Sequence, residues 1–96
     1  MADAVIECVY RAIDVVNELL PLSDQLLKSP STILVGPDGS LDSMGLINLL
    51  LEIESQLRSI GEDISVVDLI TSSAEIQDGN LNLKRLNEIL ESVLRR

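Results

Sequence analysis

The chain has no histidine, no phenylalanine and no tryptophan in 96 residues, and Tyr10 is its only aromatic side chain. Without histidine, a serine–histidine triad, a cysteine–histidine pair and a histidine-based metal site are all excluded. Cys8 is the single cysteine, so no internal disulfide can form, and a reducing, cytoplasmic setting is expected. It falls within an apolar helical pattern as a small core or boundary residue, with no histidine to activate it. Bases are scarce as well: 7 against 16 acids, for a net charge of −9. Residues 29–83 hold nine of those acids with Arg58 as the only base, so nearly all of the net charge sits in the middle of the chain. A field of that sign repels nucleic acid and anionic membranes and attracts basic protein surfaces. No apolar run approaches the length of a membrane span, and Asp3 and Glu7 stand where a signal peptide would carry its basic region. There is no Walker loop and no dinucleotide fingerprint. Asp38, Ser40 and Asp42 alternate like part of a calcium loop, but the spacing and the remaining ligands are wrong for an EF-hand. Glu52 and Glu54 point in different directions on a helix and read as surface acids. With no base, metal site or cofactor fingerprint, the chain is not expected to be an enzyme.

What is present is aliphatic. The apolar share is 46%, enough to fold one domain spanning residues 1–96 around a modest core. Residues 2–20 read as a first helix, with Val5, Val9, Ala12, Ile13, Val16 and Leu20 on one stripe, ended by Pro21. Leu22, Leu26 and Leu27 suggest one or two further helical turns, capped by Ser23 or Asp24. Residues 29–41 form a long connection marked by Ser29-Pro30-Ser31 and Gly36-Pro37-Asp38-Gly39. Within it Ile33, Leu34 and Val35 pin the loop to the core or form a short strand, for which no pairing partner is evident.

A second helix is expected from Ser43 to Ile60. Leu46, Leu49, Leu50, Ile53, Leu57 and Ile60 make its core stripe, while Met44, Ile47 and Leu51 make a second apolar stripe beside it. That second stripe fits either a docking face or packing against the long loop. Gly61-Glu62-Asp63 closes this helix. Residues 64–70 suggest a short third helix capped by Ser65, although the β-branched content also permits a strand. After a turn at Asp78-Gly79-Asn80, Asn82 caps a last helix running to about Arg95, with Leu83, Leu86, Leu90 and Val93 as its buried stripe. The expected fold is therefore all-α: three longer helices, one short third helix and a long first loop.

The breakers Gly36, Pro37 and Gly39 lead straight into Leu41-Asp42-Ser43-Met44 and then into uninterrupted helix. Asp42 or Ser43 is placed to cap the helix start. Ser43 then lies near the positive end of the helix dipole, a place that suits a phosphate.

Leu41-Asp42-Ser43-Met44, followed by Leu46, Ile47, Leu49, Leu50 and Ile53, resembles the acyl carrier protein family. There, an Asp-Ser-Leu motif opens the second helix of a small four-helix bundle, and its serine is esterified with 4′-phosphopantetheine. The upstream segment Val35-Gly36-Pro37-Asp38-Gly39-Ser40-Leu41 resembles the family's glycine-bearing loop, so the likeness covers roughly residues 30–60 well and the rest by helix pattern. The resemblance implies that Ser43 is the attachment residue and that Asp42 caps the helix, presents the serine and helps hold the transferase metal. Met44 replaces the family's usual leucine, a volume-conserving change, and would dock in the transferase pocket. A phosphopantetheinyl transferase would install the arm from coenzyme A with Mg²⁺. Loading and acyl-transfer enzymes would then place an acyl or aminoacyl group on its thiol as a thioester. Their apolar, basic-rimmed surfaces would meet Met44, Ile47, Leu51 and Glu54 on a free-standing, monomeric carrier. Many carriers place acids where Gly45 and Asn48 stand here. This departure points away from housekeeping fatty-acid synthesis and toward a dedicated lipid or secondary-metabolite pathway. The alternative is an unmodified acidic helical adaptor for a basic partner.

Overall fold

Val5, Val9, Ala12, Ile13 and Val16 recur at helical spacing, and helix α1 (Ala2–Asn17) buries all five together with Cys8. The computed structural model describes residues 2–22, 25–29, 31–35, 43–73 and 81–94, and the side chains of all of these except Ala2, Asp3 and Ser43. Helix α2 (Ser43–Ser59) buries Leu46, Leu49, Leu50, Ile53 and Leu57 and makes the most extensive helix contact of the fold with α1. Helix α3 (Val66–Thr71) adds Val66 and Ile70, and helix α4 (Leu83–Leu94) adds Leu83, Leu86 and Leu90. The described residues thus form a small, mostly helical domain with three longer helices and one short one, around a single aliphatic core. Asn87 is the one buried polar residue among them, and its Oδ1 has no hydrogen-bond partner there.

The segment Ile33–Val35 is a strand, β1, and its partner is β2 (Leu81–Asn82), immediately before α4. The pair is antiparallel, with Ile33 opposite Asn82 and Val35 opposite Leu81, and an irregularity between them. Leu34 and Leu81 are fully buried, so this small ribbon pins the first connection onto the core. The Leu83 N–H donates to the Thr32 carbonyl at 2.8 Å and prolongs the pairing into α4. Asn82 caps α4 as expected: its Oδ1 accepts the Arg85 N–H at 2.8 Å. Val93, in the last turn of that helix, is only half-buried, and Arg95 and the expected Asp78-Gly79-Asn80 turn lie outside the described residues.

Of the helical turns expected after Pro21, the described residues show only a 3₁₀ turn at Leu22, where the Gln25 N–H donates to the Leu22 carbonyl at 3.5 Å. Helix α1 stops at Asn17, residues 18–20 form a turn, and residues 25–27 carry no regular secondary structure. Pro21 disfavours helical geometry at Leu20, and Asn17 supplies a better use for the backbone beyond it. Its Oδ1 accepts the Leu26 N–H at 2.8 Å and its Nδ2 donates to the Leu26 carbonyl at 3.0 Å. Gln25 Nε2 donates back to the Asn17 carbonyl at 3.1 Å. Leu26 is therefore drawn into the core while Leu22 and Leu27 face solvent and Leu20 is half-buried. Ser23 and Asp24, the expected caps, lie outside the described residues. Asn17→Ala leaves both polar backbone groups of Leu26 without partners and is expected to cost about 1–3 kcal/mol, read as a lower urea midpoint with an unchanged slope.

Ile60 is also corrected. It is 43% exposed, not part of the core stripe. Gly61, at φ +91°, reverses the chain, the Glu62 N–H donates to the Leu57 carbonyl at 2.9 Å, and the Gly61 N–H donates to the Arg58 carbonyl at 3.0 Å. This pair of bonds closes the helix around Ile60 and turns its side chain outward.

Candidate functional site

Helix α2 starts at Ser43, so the candidate attachment residue is the first helical residue, at the positive end of the helix dipole. No acid occupies the first turn of the helix from Ser43 onward. Asp42 and the loop through Gly36, as well as the alternation of Asp38, Ser40 and Asp42, lie outside the described residues.

The second apolar stripe is exposed. Met44 is 67%, Ile47 37% and Leu51 49% accessible, whereas Leu49, Leu50, Ile53 and Leu57 on the other side are fully buried. Of the two uses open to that stripe, packing on the first connection is not seen among the described residues. The stripe starts one residue after Ser43 and runs for about 10 Å along the axis. Asn48 beside it is exposed and Gly45 half-buried, so no charge interrupts its upper half.

The acids of the lower half are engaged within the fold. Glu52 Oε2 accepts a hydrogen bond from Gln56 Nε2 at 3.1 Å. Glu54, which continues the exposed stripe at i+10 from Met44, accepts the Val67 N–H at 3.0 Å through Oε1. Ser65, the expected cap of α3, stands at the N-cap position but forms no side-chain capping bond. Sequence reasoning missed this exchange of roles because the bond joins residues 13 positions apart.

The remaining candidates lie away from Ser43. Cys8 is buried, and its thiol donates to the Gln56 carbonyl at 3.6 Å. Burial pushes the thiol pKa up, with Glu7 adding to the effect and the Arg11 charge opposing it. A cavity of about 320 Å³ is lined by Glu62, Asp63, Ile64 and Leu94, past the far end of α2. Among the described residues no group of three or more His, Cys, Asp or Glu is placed to hold a metal ion, and no helix is long and apolar enough to cross a membrane. Set against family models, curated proteins and solved structures, the chain matches none.

Proposed function

We propose that the chain is an acyl or aminoacyl carrier bearing a 4′-phosphopantetheine arm on Ser43. The observation that carries this reading is the coincidence of two features at one end of α2. The helix opens at Ser43, and a solvent-exposed apolar stripe begins at the next residue. The order of three longer helices and one short third helix supports a carrier-type four-helix bundle. The two-stranded ribbon is an addition to that plan.

The arm, when attached, would supply a thiol that holds cargo as a thioester. The chain's own part is attachment and recognition. Ser43 Oγ would lose its proton and attack the pantetheine-side phosphorus of coenzyme A, forming the phosphodiester as the pyrophosphate P–O bond breaks and adenosine 3′,5′-bisphosphate leaves. The dipole of α2 would favour the negative charge that stays on the arm. Met44, Ile47 and Leu51 would seat in an apolar pocket of the transferase or loading enzyme, with the surrounding acidity steering a basic rim toward them. The exposure of this stripe also suits an adaptor that is never modified, and modification of Ser43 separates the two.

The test is label transfer from a fluorescent coenzyme A analogue by a broad-specificity phosphopantetheinyl transferase with Mg²⁺. The wild type should take up label. Ile47→Ala should slow uptake about tenfold, the rate equivalent of ~1.4 kcal/mol of lost docking energy. Moderate salt should slow it too, because charge attraction is screened over about 10 Å at 0.1 M. No uptake with several competent transferases would favour the adaptor.

A further inference from the structure

Six residues are too few for α3 to hold itself as a helix. Its anchors are the buried side chains of Val66 and Ile70 and the bond from the Val67 N–H to Glu54 of α2. Glu54 continues the stripe of Met44, Ile47 and Leu51, three residues past Leu51, and its side chain is half-buried, so a molecule docked on the stripe reaches it. Glu54 has no cationic partner among the described residues. Arg58, one turn further on, pairs instead with Asp63 at 3.8 Å.

We propose that Glu54 is a latch between the exposed face of α2 and helix α3, released when an arginine of a docked protein partner takes its carboxylate. The inference rests on the docking role of the stripe given above. An arginine engages both carboxylate oxygens in parallel, in charge-assisted bonds stronger than the single bond to a backbone amide. Once Oε1 turns to the arginine, the Val67 N–H loses the bond that Glu54 supplies, and the Ser65 hydroxyl forms no capping bond in the structure that already shares that role. Docking on one face of α2 is thereby converted into loosening of the neighbouring helix.

Amide hydrogen exchange on the whole chain tests both halves. The reporters are Leu69 and Ser72, whose N–H groups donate to the Ser65 and Asp68 carbonyls at 3.0 and 3.2 Å. In the free protein, Glu54→Ala should speed their exchange by ~2- to 30-fold, the range set by loss of one helix cap. Glu54→Gln keeps a side-chain carbonyl and should restore most of the protection, and amides of α1, α2 and α4 should not change in either variant. Adding phosphopantetheinyl transferase without coenzyme A to the wild type should speed the same reporters. Unchanged reporters in Glu54→Ala, or faster exchange throughout the fold, overturn the latch. Slower or unchanged α3 exchange with the transferase overturns its release by a partner. The free-protein arm does not depend on modification, so a failure to modify Ser43 leaves that half of the test standing.

Discussion

Ser43→Ala is expected to lose label transfer completely while keeping its fold. The attachment chemistry needs one hydroxyl at one place, and alanine removes it outright. The packing of helix α2 comes from Leu46, Leu49, Leu50, Ile53 and Leu57, all further along the helix. Loss of one hydroxyl at a helix start costs at most about 1 kcal/mol. Thermal unfolding and labelling measured on one preparation separate the two effects. A variant that unfolds as easily as a core mutant would mean that Ser43 serves the fold, and the carrier reading would lose its main support.

Leu50→Ala and Ile53→Ala are expected to be the most damaging of the variants considered. Both side chains are fully buried on the face of α2 that meets the core. Truncation removes the transfer energy of the lost methyl groups and leaves a cavity, a combined cost of about 2–5 kcal/mol. A domain of this size is stabilised by about 5–15 kcal/mol in all, so either change removes a large fraction. Ile47→Ala, on the exposed stripe beside the core face, should cost less than about 1 kcal/mol. Urea unfolding of the three variants side by side checks this. An equal loss for Ile47 and Ile53 would put Ile47 in the core and remove the docking face.

The helices were legible where the signal was local. The apolar spacing of α1, α2 and α4 marked the buried positions, with Leu20, Ile60 and Val93 as the exceptions at helix ends. Asn82 read correctly as a cap because its acceptor serves an amide three residues on. What stayed hidden was non-local. The partner of Ile33–Val35 is a two-residue strand nearly fifty positions away, too short to carry a pattern of its own. The Asn17 clamp on Leu26 and the Glu54 bond to Val67 join residues 9 and 13 positions apart, each replacing a local expectation. In both cases a polar side chain found a backbone group in space that sequence spacing does not reveal. The two-sided character of α2 was readable from sequence, but which stripe would be covered was not. That depended on where α1 and the first connection pack.

The most direct measurement is the intact mass of the chain after incubation with coenzyme A, Mg²⁺ and a broad-specificity transferase, followed by fragmentation to place any added group. The carrier account predicts a gain of one phosphopantetheinyl group, carried by the fragment that contains Ser43. An unchanged mass with several competent transferases, or a group placed on another residue, would contradict it.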